Sequence, residues 1–290
     1  MHYTSHLTGT SRRRLAVLFA LMAWVHLAFA QVVNETADTE HTTIQAAIDA
    51  ATAGDSIVIS NGTYALTSTL VVDRGVVLHG ESQAGVILDA SAMTPLSERV
   101  IETDADNITL RNLTIKPITD PDPSANNNIG FTVKVGSNSV PAINSNIVLE
   151  NIAIDGAAER TPFDFHGVDG LTLTNISASG TTRGNGMSFS GCTDVMVNSF
   201  SGTGNVWGSI AVYASRYIPA EGRGSSNITI NGDGLDIDGS VFSQNDLNAA
   251  QGDLFNTDIS VSGWDYLVYN DAFRGAYNDS EEYTFFAADA

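Results

Sequence analysis

A short pattern of apolar and polar positions recurs five times along the chain. Each copy has a polar residue, an apolar-x-apolar triplet, in most cases an Asn, and then a second apolar-x-apolar triplet. The copies occupy residues 107–115, 146–154, 169–178, 194–201 and 227–231. Alternation with a period of two over such short stretches predicts strands of three or four residues. We therefore predict an all-β chain.

An Asn stands between the two triplets in three of the copies, at Asn112, Asn151 and Asn175, and Ser199 takes this place in a fourth. Asn favours the left-handed backbone conformation that a sharp corner needs. Asn151 and Asn175 are 24 residues apart, and Ser199 follows after another 24. Because this interval is close to one coil of a parallel β-helix, the spacing predicts a solenoid.

Residues 42–51 carry a different pattern, in which Ile44, Ala47, Ile48 and Ala51 are spaced to share one face of a helix. A hydroxyl residue precedes the first of them, as is typical of a helix amino terminus. An open solenoid end exposes its apolar core, and an amphipathic helix laid across that end covers it. We therefore predict an amino-terminal cap helix at 42–51.

Motifs in this part of the chain carry a family resemblance. Thr-Ile-Gln-Ala-Ala-Ile-Asp-Ala-Ala at 43–51, Ala-Gly-Asp at 53–55 and Gly-Thr-Tyr at 62–64 follow in this order, and the likeness continues over 76–81. They resemble the cap and first coil of the pectate-lyase-like right-handed parallel β-helix superfamily. The resemblance implies a single-stranded right-handed parallel β-helix with three strands in each coil. The superfamily holds lyases, hydrolases, epimerases, adhesins and binding proteins, so it implies a fold and not a function.

The same resemblance places the Asn corner between the second and third strands of each coil. Asn112, Asn151 and Asn175 are then expected to stack as an internal ladder, with Ser199 completing it. Amides that stack at strand spacing satisfy one another's hydrogen bonds. We therefore interpret these residues as structural.

Residues 1–30 have the features of a signal peptide. They contain no acidic residue, three consecutive arginines at 12–14, an apolar run from Leu15 and an Ala-Phe-Ala sequence that ends at Ala30. The apolar run is too short for a membrane anchor, and no later segment is longer. We expect a secreted, periplasmic or cell-surface protein without a membrane span in the mature chain. One β-helix domain is expected over 31–290, with a carboxyl-terminal tail or cap at 277–290.

The charge balance narrows the choice of partners. The chain has 33 acidic residues against 13 lysines and arginines, a net charge of −20. Such a surface repels nucleic acid and anionic membranes, which excludes both as general partners. Screening by high salt and binding of calcium are two ways to accommodate this charge. Cys192 is the only cysteine, so no disulfide forms within the chain and its stability must come from the stacked core.

The coil pattern implied by the resemblance also identifies the residues that face outwards. The first strands of successive coils fall at 131–135, 163–165, 187–189 and 210–212. Alternation turns their apolar residues inwards and leaves Lys134, Asp164 and His166 on the outer face. Since neighbouring coils lie about 4.8 Å apart, these three side chains are expected to converge on one exposed patch.

Loops and aromatic residues around this face are candidates for binding sugars. The inserts at 117–130 and 155–162 are expected to rim the patch, with cations at their bases. Aromatic rings beside a groove suit stacking on sugars, although packing beneath a loop is as good an interpretation for the tryptophan. The candidate substrate-binding residues are Arg160, Arg183, Trp207, Tyr213 and Arg216.

The outward residues fit a specific chemistry. Enzymes that remove the C5 proton of a uronic acid need a cation for its carboxylate, a base and an acid. Lys134 could neutralise the carboxylate and His166 could carry the proton, while Asp164 tunes it. Phe-Asp-Phe-His, ending at His166, is similar to the Phe-Asp-Pro-His core of alginate C5-epimerases, but Thr161 replaces their catalytic Tyr and Phe165 their Pro. The alternative is a solvated Lys134–Asp164 ion pair worth at most about 1 kcal/mol.

Carboxylates later in the chain are candidates for a metal site. Asp233, Asp236 and Asp238 are spaced by glycines and suit a hard cation that prefers oxygen ligands, such as Ca²⁺. Alternating Asp residues in a β-turn are the alternative interpretation. Calcium is the only cofactor that the sequence suggests.

Two functions follow from these features. The first is an exported, non-catalytic module that binds a polysaccharide or a cell-surface glycan, or that serves adhesion. It is favoured by incomplete catalytic signatures and by the acidic surface. The second is a polysaccharide lyase or C5-epimerase for uronic acid polymers, which uses Lys134, Asp164 and His166. Turnover of a uronate polymer separates the two.

Overall fold

The protein winds into a parallel β-helix, as the repeats predict. The computed structural model describes residues 31–120, 130–136, 143–215, 222–231, 235–237, 241–245, 254–262, 267–270 and 283–286. The predicted signal peptide at 1–30 lies outside the described residues. Each circuit of the chain places its short strands beside the matching strands of the circuits before and after it.

The described residues form one helix and a long series of short strands. The helix α1 spans Ile44–Ala50. The strands before the middle of the chain are β1 Val32–Asn34, β2 Thr39–His41, β3 Ser56–Ile59, β4 Gly62–Ala65, β5 Leu70–Val72, β6 Val77–Gly80, β7 Val86–Asp89, β8 Ile101–Thr103, β9 Thr109–Lys116, β10 Val133–Val135 and β11 Asn144–Ile154. Those that follow are β12 Phe163–His166, β13 Val168–Ser177, β14 Met187–Ser190, β15 Thr193–Val197, β16 Phe200–Gly202, β17 Ile210–Tyr213, β18 Ser226–Asn231, β19 Leu235–Ile237, β20 Val241–Gln244, β21 Thr257–Ser262, β22 Leu267–Asn270 and β23 Tyr283–Phe286.

The strands belong to two sheets. A fourteen-stranded sheet has the main order β2-β1-β3-β6-β9-β11-β13-β15-β18-β21, with β4, β7, β16 and β19 attached to it. A nine-stranded sheet has the order β23-β22-β20-β17-β14-β12-β10-β8-β5. Pairing is parallel throughout, except where β1 meets β2 and β3 and where β22 meets β23.

The core is a stack of apolar side chains in register from coil to coil. In the nine-stranded sheet, Val133, Phe163, Met187 and Ile210 occupy one register position on four successive strands, and all are buried. The next inward row places the ring of Phe165 against that of Phe189, with centroids 5.5 Å apart. Burial of such rows removes apolar surface from water coil after coil, which is the main stabilising contribution to this fold.

The predicted corners are left-handed at three of the four positions. Asn112, Asn151 and Asn175 have φ values of 57°, 53° and 54°. The amide of Asn151 donates to Asn112 at 3.0 Å, and that of Asn175 donates to Asn151 at 2.7 Å. The prediction for Ser199 is wrong, because its φ is not positive and the amide ladder ends at Asn175. Serine lacks both the amide and the tolerance of asparagine for this conformation.

A second column of corners was not predicted. Asn107, Asn146, Asp194 and Asn227 also have φ values between 52° and 59°, and Gly170 takes the same place with a φ of 77°. The amide of Asn146 donates to Asn107 at 2.8 Å, and that of Asn227 donates to Asp194. These residues stand at or next to the start of the repeats, so the first three repeats have one corner at their start and a second at Asn112, Asn151 or Asn175.

The helix lies against the first coil. Thr43 caps it through its hydroxyl, which accepts from the backbone N–H of Ala46 at 3.1 Å. Ile44, Ala47 and Ile48 are buried, and the helix contacts β1, β2, β3 and β5. Within the described ranges, no helix has the length and apolar character needed to cross a membrane.

Candidate functional site

The outer face of the nine-stranded sheet carries a row of polar residues in register. Lys134 on β10 pairs with Glu102 on β8 and with Asp164 on β12, and Asp164 pairs in turn with Ser188 on β14. Ala211 on β17 continues the row. Alternation within each strand points these side chains away from the apolar core.

The three predicted catalytic residues meet in one hydrogen-bonded group. The Lys134 ammonium donates to Asp164 Oδ2 and lies 3.3 Å from His166 Nδ1. Ser188 Oγ donates to Asp164 Oδ1 at 2.7 Å, and His166 Nε2 lies 3.0 Å from Ser215 Oγ. These five residues, Lys134, Asp164, His166, Ser188 and Ser215, are called the outer network below.

The prediction of an exposed patch is wrong. The exposed fractions of Lys134, Asp164 and His166 are only 1%, 7% and 6%. Phe131 accounts for part of this burial, because its ring centroid lies 5.2 Å from Lys134 Nζ. The sequence suggested that Phe131 begins the strand, but it precedes β10. The alternation of inward and outward side chains within the strand therefore does not apply to Phe131. The interpretation as a solvated ion pair is therefore wrong as well.

The electrostatics of the outer network keep its imidazole neutral. Burial lowers the pKa of His166 to about 4, and the Lys134 cation contributes in the same direction. The Asp164 carboxylate acts in the opposite direction but does not compensate. At neutral pH the site therefore holds an uncharged ring, still able to exchange a proton, beside the Lys134–Asp164 ion pair.

Tyr213 lies beside the outer network. Burial raises the pKa of its hydroxyl to about 12, and the negative charge of Asp164 adds to the effect. The hydroxyl donates to Asn185 Oδ1 at 3.0 Å. It therefore stays protonated across the physiological range. Thr161, where the epimerase motif has a Tyr, is buried, and its hydroxyl accepts from the backbone N–H of Asn185 at 3.3 Å.

Trp207 is an exposed aromatic residue on a loop that is held in place. Its exposed fraction is 63%, and the neighbouring Val206 is exposed to a similar degree. The backbone N–H of Trp207 donates to Gly184 at 3.1 Å, and its carbonyl accepts from the Asn185 amide at 2.7 Å. Asn185 thus connects the backbone beside the exposed ring to Tyr213.

The arginines predicted to bind substrate precede two strands of the same sheet. Arg160 precedes β12 and is exposed, and its guanidinium carbon lies 4.1 Å from the centroid of the Phe131 ring. Arg183 precedes β14 and is partly exposed. Arg216 lies outside the described residues. An exposed cation therefore lies on the aromatic ring that contacts Lys134.

The predicted metal ligands are only partly described. Asp233 and Asp238 lie outside the described residues, whereas Asp236 is exposed and accepts from Ser201 Oγ at 3.4 Å. The parts of the chain that the structure covers contain no cluster of three His, Cys, Asp or Glu side chains that could hold a metal ion. Calcium binding by the three aspartates stays a prediction.

Sequence reasoning missed several residues of the site. Ser215 contacts His166 from 49 residues further along the chain, so no local pattern identifies it. Asn185 and Phe131 lie just outside their strands, where alternation gives no direction. The only available signal was the coil spacing, which brings segments preceding successive strands to the same side of the molecule.

The assembled groups define what the site can do. It combines a cation, a carboxylate, a neutral imidazole and two hydroxyl groups in one hydrogen-bonded network, with the Tyr213 hydroxyl beside it. Such a set can neutralise an anionic substrate group and move protons to and from it. An open cavity of about 550 Å³ lies elsewhere, at the corner that leads into β6 and β9, and no residue of the outer network lines it.

Comparisons with known proteins reveal similarity at the level of structure. No family model matches the sequence, and no curated protein is significantly similar to it. A pectin methylesterase variant in complex with a hexasaccharide has 12% identity and a TM-score of 0.45, over 87% of this chain and 83% of that one. The catalytic domain of an α-1,3-glucanase in complex with nigerose has 14% identity and a TM-score of 0.44, over 79% and 44%. The A-module of the Azotobacter vinelandii mannuronan C-5 epimerase has 15% identity and a TM-score of 0.37, over 78% and 71%.

Proposed function

We propose that this protein is an enzyme that acts on uronic acid polymers, as a polysaccharide lyase or a C5-epimerase. The observation that carries the proposal is the convergence of Lys134, Asp164 and His166 in one hydrogen-bonded network on the outer face of the sheet. The reaction class follows from this set of groups, because abstraction of a proton beside a carboxylate requires a cation and two proton-transfer groups.

A purely structural role explains the outer network poorly. Burying an ion pair removes two charges from water, and apolar residues of similar volume are often as stabilising or more so. Ala211 occupies the same row two coils beyond Asp164 and is fully buried, so this face accepts an apolar residue. Buried charges with a strongly perturbed neighbour such as His166 are typical of functional sites.

Each residue of the site has a role in the proposed reaction. In the proposed reaction the substrate carboxylate displaces the Phe131 ring from Lys134, which neutralises this carboxylate and makes the C5 proton more acidic, and Asp164 holds the ammonium group. His166 is neutral because its pKa is lowered, so it is the base that accepts the C5 proton. Tyr213 keeps its proton and is the acid that donates the second proton, in place of the tyrosine that Thr161 replaces. In a lyase the departing glycosidic oxygen receives the second proton, and in an epimerase C5 receives it on the opposite face.

Two features of the chain favour export and a dependence on cations. The leader pattern at 1–30 supports secretion, or a place in the periplasm or at the cell surface. The net charge of −20 repels a polyuronate, so screening salt or Ca²⁺ is expected to promote binding. We therefore propose that turnover rises when Ca²⁺ is added, with Asp233, Asp236 and Asp238 as candidate ligands.

Turnover of defined polymers tests the proposal. The purified protein is incubated with alginate and with pectate, with and without Ca²⁺. Absorbance of unsaturated uronates detects a lyase, and the C5 proton in NMR spectra detects an epimerase. His166→Gln should abolish turnover, whereas His41→Gln, on β2 at the far end of the solenoid, should leave it unchanged. Wild-type protein that converts neither polymer, or a His166→Gln variant with full activity, would contradict the proposal.

The second candidate function is a glycan-binding or adhesion module without turnover. The exposed indole of Trp207, on a loop anchored to Gly184 and Asn185, favours it because a fixed aromatic face can stack on a sugar ring. Calorimetry with oligosaccharides distinguishes this function. Under it, Trp207→Ala loses binding, Lys134→Met retains it, and no product forms with either protein.

A further inference from the structure

The contact between Lys134 and His166 restricts the proton on the imidazole. Lys134 Nζ lies 3.3 Å from His166 Nδ1, and the same ammonium donates to Asp164. An ammonium group has donors and no acceptor, so Nδ1 must present its lone pair to Lys134. Asp164 supports the charged form of the lysine, because its other oxygen accepts from Ser188 at 2.7 Å and both oxygens thus act as acceptors.

The opposite edge of the ring is then determined. A neutral imidazole carries one proton, and with Nδ1 acting as acceptor this proton lies on Nε2. Nε2 is 3.0 Å from Ser215 Oγ, which accepts it. We propose that Lys134 is a positioning residue that holds His166 in the Nε2–H tautomer and directs this proton to Ser215.

Ser215 is held where it can receive the proton. Its backbone N–H donates to the carbonyl of Arg223, and the N–H of Arg223 donates back, both at 2.8 Å. The Arg223 side chain is fixed in turn by Asp169 at 2.7 Å and by the carbonyl of Gly191. Ser215 is buried as well. Two backbone hydrogen bonds therefore fix the position from which the Ser215 hydroxyl reaches His166.

This arrangement assigns a direction to proton transfer. A protonated Nε2 cannot accept the Ser215 proton, so Ser215 is not an activated nucleophile of the serine hydrolase type. If the proposed action on uronates holds, His166 takes up a proton at Nδ1, where its lone pair lies, and releases the Nε2 proton to Ser215, so that the ring ends the transfer neutral. Only this last statement rests on the proposed function, since the tautomer is a property of the protein alone.

Nitrogen NMR of the imidazole tests the inference without any substrate. The protein is labelled with ¹⁵N-histidine, and the His166 signals are assigned by their loss in His166→Gln. The ring is expected to have a protonated Nε2 and an unprotonated Nδ1 at neutral pH. In Lys134→Met, the proton should shift towards Nδ1, because the donor that occupied this atom is gone. Lys116→Met, which removes the only other lysine, should leave the His166 signals unchanged.

A second variant keeps the test decisive if Lys134→Met does not fold. Ser215→Ala removes the acceptor of the Nε2 proton and leaves Lys134 in place, so the tautomer should persist while the Nε2 proton exchanges faster with water. An Nδ1–H tautomer in the wild-type protein would overturn the inference. A folded Lys134→Met variant with an unchanged tautomer would overturn it too. Neither result depends on whether the protein converts alginate or pectate.

Discussion

Lys134 and Asp164 are 30 residues apart in the sequence, but they occupy the same register position on β10 and β12 and form a buried ion pair. The coil produces this contact: one circuit returns the chain to a point directly above its previous strand. Residues separated by one full coil of the chain are therefore neighbours in space. The properties of the outer network follow from this stacking and from the burial that accompanies it.

Removing one partner of this pair should be costly. In Asp164→Asn the Lys134 ammonium keeps its charge in a buried position without its counterion, so the free energy of unfolding should fall by about 3–5 kcal/mol. Urea denaturation measures the loss. Glu102→Gln is the matched control, because Glu102 lies in the same row but is partly exposed, and it should change stability by less than about 0.5 kcal/mol. An equal effect of both variants would contradict the prediction.

Stability should depend on pH through His166. Its pKa is about 4 in the folded protein and about 6.5 in the unfolded chain, so the unfolded state binds more protons between these values. The stability that this residue contributes is complete above about pH 6.5 and falls by about 3 kcal/mol as the pH is lowered through about 4.

The measurement is urea denaturation at several pH values for the wild type and His166→Gln. Carboxylates titrate in both proteins, so the difference between the two curves isolates the imidazole. The wild-type protein should lose more stability than the variant as the pH is lowered. Parallel curves would show that His166 is not held neutral by burial and by Lys134.

The amide ladder should contribute to stability separately from the corner conformation. Asn151 has a φ of 53°, donates to Asn112 and accepts from Asn175. Asn151→Ala loses two hydrogen bonds and places an alanine in the left-handed region, so thermal or urea unfolding should show a loss of about 2–4 kcal/mol. Asn151→Gly keeps the conformation accessible and should lose less. If Asn151→Gly is as unstable as Asn151→Ala, the whole loss of stability comes from the hydrogen bonds of the ladder and none from the corner conformation.

Cys192 should be unreactive in the folded protein. Its side chain is fully buried, and burial raises the pKa of the thiol to about 11. Thiolate is the reactive form, so a chromogenic disulfide reagent at mildly alkaline pH should label the native protein only as fast as it unfolds. Labelling should become immediate in denaturant. Rapid labelling of the native protein would contradict the burial of Cys192 in the stacked core.

The corners show what sequence can determine and what it cannot. The left-handed conformation at Asn112 and Asn151 was predictable because asparagine favours it for local reasons. Ser199 has the right spacing, but serine has no side-chain amide and does not favour the left-handed backbone conformation. A prediction from spacing alone was therefore wrong at this position. Asn107 and Asn146 are visible in the sequence as the residues that open the first two repeats, but only the structure shows that they belong to a second column of corners.

The outer network also combines features that the sequence predicts with features that only the structure shows. Lys134, Asp164 and His166 could be placed on one face from the sequence, because the alternation within each strand and the length of each coil determine the register between strands. Burial could not be predicted, since it depends on residues outside the strands such as Phe131. The contact of Ser215 with His166 comes from a later coil and has no local signature at all.

The proposed function implies that the outer network serves a reaction and does not hold the fold together. Replacing both charges in Lys134→Met/Asp164→Val tests it most directly, because apolar residues of similar volume remove the buried ion pair without leaving an unpaired charge. Unfolding free energy and turnover of alginate and pectate are measured on the same preparation. We expect the double variant to have a free energy of unfolding within about 1 kcal/mol of the wild-type value and to lose turnover completely. A double variant that loses as much stability as Asp164→Asn, or that still converts the polymer, would contradict it.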